Sequence, residues 1–370
     1  MAGAGTGDRR VREFPAAGES SWERAYLDLG AAGEEPLRSV EGFQLLGEAC
    51  YEAWEGPVAV LLDGGSGEVF LGRPGDDGVL RRDLLASSPA CLVALARVME
   101  TLGGGPEYGP AAVAEVERVG RERLRAADPE LYRRTGGRPA HWETALTIRA
   151  LARGARAGGA EGLAYVVTPE LVEDLATLEG GGGGVRRFAE AELPAGVSHG
   201  PSRRLLTEVG LPLSGGCLLS VEAEGPLRTL AEDSPENFDP ENEEELSTRA
   251  YQGGFLVVGE WMYDLDVVLD GATGRVELPD FWDDGDPAAY LHRDLSALLY
   301  TLWTFHRLRV AREAAYRLRR EAPWSVFDPC ELFDGAAEEA MRALDAEAFA
   351  SEKHFWPMRI DDGHMGSLLE

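Results

Sequence analysis

The side chains in this 370-residue chain that could do chemistry are six histidines, four cysteines, one lysine and a large excess of carboxylates. The histidines are His141, His199, His292, His306, His354 and His364. None forms H-E-x-x-H or stands at metal spacing from a cysteine. His354 and His364, with Asp361 and Asp362, are the densest metal-type cluster, but acids and histidines near a terminus coincide often, so no metal site is assigned. Asp264, Asp266 and Asp270 have calcium-ligand character. Val268 stands between them in an apolar run, which is a strand pattern and not an EF-hand loop. Ser66 lies in G-G-S-G-E, where Glu68 replaces the last glycine of a nucleophile elbow. The five glycines Gly180 to Gly184 have neither G-K-[ST] nor a G-x-G-x-x-G between strand and helix, so they read as a flexible loop. No catalytic, cofactor or metal constellation emerges. A hydrolase built on buried carboxylates would need an apolar pocket with converging acids, which sequence cannot display.

Charge is the informative quantity. Sixty-five acidic against 36 basic residues give a net charge of −29. Such a surface repels nucleic acid and anionic membrane and attracts a basic partner. The acids concentrate twice. Residues 232–245, EDSPENFDPENEEE, carry Glu232, Asp233, Glu236, Asp239, Glu241, Glu243, Glu244 and Glu245 without one base. Residues 280–286, DFWDDGD, set Phe281 and Trp282 among Asp280, Asp283, Asp284 and Asp286. Aromatic side chains in an acidic loop can anchor in a partner's pocket while the carboxylates meet its Arg and Lys. These two segments are the candidate contact surface. The cysteines, Cys50, Cys91, Cys217 and Cys330, are far apart and mostly in apolar periodic stretches, as expected of reduced thiols in a cytoplasmic setting. The N-terminus has no hydrophobic signal segment, and no apolar run approaches the ~20 residues of a membrane span.

The elements that must position any site centre on residues 254–308. Phe255 to Val258 and Leu265 to Leu269 read as strands, Asp270 to Gly274 as a tight turn, and Val276 with Leu278 as a half-buried strand. Leu295, Leu298, Leu299, Leu302 and Phe305 then fall at helical period. An earlier stretch repeats this order. LLGE (45–48) answers VVGE (257–260), VLLDGGSGEV (60–69) answers VVLDGATGRV (267–276), and Arg82-Asp83-Leu84 answers Arg293-Asp294-Leu295. Three blocks in one order predict an internal duplication. Helices are expected over Trp22 to Leu29, from Pro89, capped by Ser87 or Ser88, to Leu102, over Ala111 to Ala127 and Trp142 to Leu151, after Thr168-Pro169, from Pro201 to Gly210, and over Ala336 to Phe349.

From about Thr168 onward the chain resembles the SUKH superfamily of bacterial immunity proteins, closest to its fourth subfamily. The resemblance is carried by SRRLLTEVGLP (202–212), FLVVGE, VVLDGATGRV, the helix start RDLSALL (293–299) and Phe355-Trp356-Pro357. It implies an α+β fold with a mainly antiparallel sheet flanked by helices. It also implies a non-enzymatic immunity protein that binds a toxin directly, with nuclease or deaminase toxins among the family's targets. The expected organisation is a disordered segment 1–12, a partial module 13–110, a helical connector 111–164 and an immunity domain 165–370. The expected partner is a basic cognate toxin, with no cofactor, nucleic acid or membrane. An intracellular adaptor binding a non-toxin protein is the alternative.

Overall fold

Two Asp-Gly turns fix the register of two antiparallel sheets. In the computed structural model Asp63 Oδ1 accepts the Gly65 N–H at 2.8 Å, and Asp270 Oδ1 accepts the Ala272 N–H at 2.9 Å. Gly67 and Gly274 close these turns at φ 74° and 85°, each donating its N–H to the carbonyl of the turn's aspartate at 2.8 Å. A side chain at that φ is strained, which is why glycine stands in both places. The structure describes residues 27–29, 43–53, 56–75, 79–102, 108–152, 154–158, 162–178, 183–215, 218–238, 250–261, 265–279, 289–321 and 326–357. The expected disorder of residues 1–12 lies outside them.

The first sheet runs in chain order through β1 (Leu27–Leu29), β2 (Phe43–Ala53), β3 (Gly56–Asp63), β4 (Val69–Pro74) and β5 (Leu80–Ala86). A short ladder joins β6 (Val185–Arg186) to β7 (Leu211–Pro212). The second sheet comprises β8 (Ser214–Gly215), β9 (Leu219–Ser220), β10 (Leu256–Trp261), β11 (Leu265–Leu269), β12 (Val276–Glu277) and β13 (Tyr290–His292), again in consecutive order. The ladders of the two sheets match pair for pair. Leu45 faces Leu61 and Gly47 faces Val60 across a bulge; Val257 faces Val268 and Gly259 faces Val267 across another. Beyond the turns, Val69 faces Ala86 and Val276 faces His292, each followed by a register shift. On the other side, Asp28 faces Glu48 and Ser220 faces Glu260.

This register corrects the third sequence match. Arg82, Asp83 and Leu84 are paired residues inside β5, whereas Arg293 and Asp294 follow β13. Ser88 and Asp294 each accept the N–H three residues on, Cys91 at 3.1 Å and Ala297 at 3.0 Å, and so cap the helix that follows each sheet. Leu27–Leu29 is an edge strand and not part of a helix, because pairing along β2 outweighs local periodicity. Glu277, expected on an exposed strand face, is buried, and its carboxylate accepts from Gln252 Nε2 at 2.8 Å and Tyr251 Oη at 3.0 Å, with Arg275 Nε at 2.8 Å.

The helices are α1 (Pro89–Thr101), α2 (Pro110–Ala127), α3 (Pro129–Arg134), α4 (Ala140–Ala152), α5 (Pro169–Thr177), α6 (Gly200–Arg204), α7 (Leu230–Asp233), α8 (Leu295–Glu321) and α9 (Pro329–Leu344). The last starts seven residues before the expected Ala336, because Asp328 caps it at the Cys330 N–H. Helix α4 packs against α2, α8 and α9. Trp142, Ala145, Leu146, Ile148 and Leu151 are buried on several of its faces. One apolar cluster therefore runs unbroken from Leu85 and Leu95 through Leu146 to Leu298 and Phe305.

A second link crosses between the sheets' helices. Asp83 Oδ2 accepts the Val326 N–H at 2.8 Å and the Phe327 N–H at 2.7 Å, holding the entry to α9 against β5. At about 1–2 kcal/mol for each of these two bonds to a partly buried acceptor, Asp83→Ala is expected to lower stability by about 2–4 kcal/mol. Asp83→Asn keeps an oxygen in place and should restore most of it. The urea midpoints of the two variants check this.

A candidate partner-binding cleft

Above β9 and β10 lies a cleft of about 160 Å³. Its floor is apolar: Phe188, Val221, Leu227 and Val258 are all buried. Its rim is acidic, formed by Glu222, Glu224, Asp233, Glu260 and Asp266, with Arg228 among them. Strand register puts these acids together. Glu260 and Asp266 face each other across the β10–β11 ladder, and Glu260 also faces Ser220, two residues before Glu222. Gly259 permits the approach of β9, since a β-carbon there would meet the Ser220 carbonyl oxygen at 2.7 Å.

The electrostatics of the rim are unbalanced. Arg228 Nη2 lies 2.8 Å from Asp233 and 3.7 Å from Glu222. Half-buried Asp266 is pushed above the usual carboxylate range, by burial first and then by the charges of Asp233 and Glu260. A carboxylate raised in this way marks a place where an added cation is stabilised.

Three of the sequence-derived contact residues fall in or beside this cleft. Asp233 lines it, and the Glu236 charge adds to the upward push on Asp266. Glu232 is engaged within its own helix. Its Oε2 accepts the Thr229 N–H at 2.9 Å while Thr229 Oγ1 accepts the Glu232 N–H at 3.3 Å, a capping box for α7. Backbone bonding at Thr229 holds the Glu232 carboxyl below its ordinary value. Asp239, Glu241, Glu243, Glu244 and Glu245 lie outside the described residues, as do Asp280, Phe281, Trp282, Asp283, Asp284 and Asp286. Sequence reasoning missed Glu222, Glu224 and Glu260. Glu222 and Glu224 lie in one short stretch and Glu260 in another, and only strand pairing gathers them.

The described histidines make contacts within the fold. His199 Nδ1 lies 2.8 Å from Ser202 Oγ, but Ser202 is fully buried in the first turn of α6. His354 Nδ1 accepts the Ser351 N–H at 3.2 Å. His364, Asp361 and Asp362 lie outside the described residues, among which no group of three or more His, Cys, Asp or Glu could hold a metal ion. Cys91 and Cys330 are not in a disulfide, and Cys330 is buried. No helix among the described residues is long and apolar enough to cross a membrane.

His292 sits at the centre of a buried lock. Its Nε2 accepts the Trp356 indole N–H at 2.9 Å, and its Nδ1 lies 3.2 Å from Asp345 Oδ2. Asp345 also accepts the Tyr290 hydroxyl at 3.0 Å and the Arg293 N–H at 2.9 Å. Burial keeps the imidazole below its ordinary pKa. A neutral ring with its proton on Nδ1 satisfies both neighbours.

The family model for SUKH-4 immunity proteins matches residues 171–362, which is 192 of the 370 residues. The chain belongs to the SUKH-4 immunity protein family. Its acidic cleft, its second sheet and its His292 lock all lie within the matched span. The motifs that carry the SUKH-4 resemblance occupy defined places: SRRLLTEVGLP forms α6 and the turn into β7, FLVVGE forms β10, and Phe355-Trp356-Pro357 closes the lock. No curated protein and no solved structure matches the chain.

Proposed function

We propose that this SUKH-4 protein neutralises a toxin of the nuclease or deaminase type by holding it directly, with a basic element of the toxin seated in the acidic cleft. The crowding at Asp266 carries the reading: a half-buried carboxylate beside Asp233 and Glu260 gains from an incoming guanidinium or ammonium. The apolar floor of Val221 and Val258 suits the hydrocarbon stem of the same side chain. Net charge adds long-range attraction, which favours rapid capture of a basic target. We assign the immunity domain to 165–370, a helical connector to 111–164 and a partial related module to 13–110. The paired bulges and matching turns of the two sheets support an internal duplication. The acidic segments 239–245 and 280–286 extend the proposed contact surface.

The double variant Glu222→Lys/Glu260→Lys tests the cleft. Both side chains are exposed, so the fold should tolerate them. Its association rate with the toxin encoded beside this gene is expected to fall by about tenfold or more at low salt, with the wild-type advantage shrinking as salt is added. Stopped-flow mixing measures both. Equal rates at every ionic strength would remove the cleft from the mechanism.

A further inference from the structure

Arg228 stands inside the acidic rim of the cleft above β9 and β10, and its charge has the same sign as the element that the cleft is proposed to hold. Its backbone is fixed. The Arg228 carbonyl accepts the Val257 N–H at 2.9 Å, and Thr229 forms an antiparallel bridge with Leu256. The loop before it is fixed as well. Arg186 Nη2 donates to the Gly225 carbonyl at 2.8 Å and to Glu192 Oε1 at 2.9 Å, with its guanidinium over the Phe188 ring. After Thr229 the chain enters α7, whose last residue is Asp233. Frame and acid are thereby set, and the Arg228 side chain is the adjustable part.

That side chain is 51 % exposed. Its Nη2 lies 2.8 Å from Asp233 and 3.7 Å from Glu222, which is 78 % exposed. Ion pairs in such contact with water are weak, so Arg228 can leave Asp233 at little cost. Glu222 is already within reach of the released guanidinium. Arg228 does not relieve half-buried Asp266. That carboxyl stays above its ordinary range, by burial first and then by the charges of Asp233 and Glu260. The cleft therefore holds one acid served by an internal cation and another still crowded by acids.

We infer that Arg228 is an internal stand-in for the toxin's cation, holding Asp233 in the unbound protein and yielding it on docking, so that the cleft selects an element with at least two neighbouring positive charges. This selection rests on the toxin-binding reading above and deepens it, by fixing how much charge the partner must bring. A first toxin cation at Asp233 only replaces one ion pair by another, and it arrives beside a guanidinium of its own sign. Like charges at ~4 Å repel enough to weaken binding about fivefold even in water. The gain comes from a second cation, which reaches Asp266. A partner with one basic side chain at this place gains little, so Arg228 discriminates against it.

The test mixes the toxin encoded beside this gene with wild type, Arg228→Gln and Arg228→Lys by stopped flow, and titrates each protein with overlapping peptides of that toxin by calorimetry. Arg228→Gln is expected to bind the toxin about 3–10-fold more tightly at low salt, with faster association, and the gain should vanish as salt is added. A merely structural role for Arg228 would give no salt-dependent gain. Arg228→Lys keeps the charge and should lose most of the improvement. Peptides with two adjacent basic residues should bind wild type, whereas those with one should bind Arg228→Gln several-fold better than wild type. Should Arg228→Gln fold poorly, Arg228→Met, which keeps an apolar stem and removes the charge, should show the same gain. Toxin that binds the uncharged variants no better than wild type would overturn the stand-in role and leave the toxin reading intact. Weaker binding by those variants would assign Arg228 a direct contact with the toxin and overturn it also. Toxin that binds none of the proteins would remove that reading and the inference with it.

Discussion

Trp356→Ala is expected to cost about 3–5 kcal/mol of folding stability, the range for deleting a fully buried aromatic side chain. Trp356 is completely enclosed, and its ring meets Trp261 and Phe355 edge-on and stacks on Phe349. The substitution removes more than packing. It leaves His292 Nε2 without its 2.9 Å donor in a buried site, and an unmet buried acceptor carries its own penalty of ~1–3 kcal/mol. Trp356→Phe separates the two effects, since it retains most of the ring and loses the N–H. Urea denaturation of wild type, Trp356→Phe and Trp356→Ala should give midpoints descending in that order. Equal midpoints for wild type and Trp356→Ala would show that the lock does not hold the fold.

The second large effect is a loss of stability in acid that traces to His141. This ring lies at the start of α4, edge-on to Trp142 and to Phe327, where the two halves of the chain meet. Burial pushes it down to about 3 from an ordinary 6.5. The ring is neutral in the fold and takes a proton readily in the unfolded chain. Above pH 6.5 it therefore gives no pH dependence, and below 6.5 stability falls as pH falls, because the unfolded chain binds more protons. At ~1.4 kcal/mol per pKa unit the loss reaches about 3 kcal/mol by pH 4 and about 4–5 kcal/mol near pH 3. His141→Phe should remove its share of this limb while leaving the slope due to His292, whose pKa is lowered in the same direction. Urea midpoints for both proteins from pH 8 to pH 4 measure the difference. Parallel curves would exclude His141 as the cause.

Local chemistry made much of the architecture legible in advance. The Asp-Gly turns, the Ser88 and Thr168 caps and the Gly210 stop each depend on residues within a few positions of one another, and each stands where expected. Errors arose where distant parts of the chain decide. Arg82-Asp83-Leu84 and Arg293-Asp294-Leu295 share letters, but only strand register reveals that one triplet is paired in a sheet and the other begins a helix. Glu277 alternates like a surface residue, and Gln252 and Tyr251, far off in sequence, turn it into an interior one. The cleft was half visible for the same reason. Asp233 and Glu236 belong to a conspicuous acidic run, while Glu222 follows β9 and Glu260 and Asp266 stand on β10 and β11, and they acquire meaning only when those strands are side by side. His141 is an ordinary helical histidine until α4 is seen to be enclosed.

The clasp between Asp83 and the backbone at Val326 and Phe327 has a consequence for how such chains can diversify. Together with α4, whose end leaves Gly154 so close to Trp303 that a β-carbon would stand 2.9 Å away, it makes each half supply groups that the other cannot do without. Recombination that broke the gene near residue 165 would separate these groups and leave both fragments with raw interior surface. Shuffling halves would thus carry a cost in stability that single surface changes avoid.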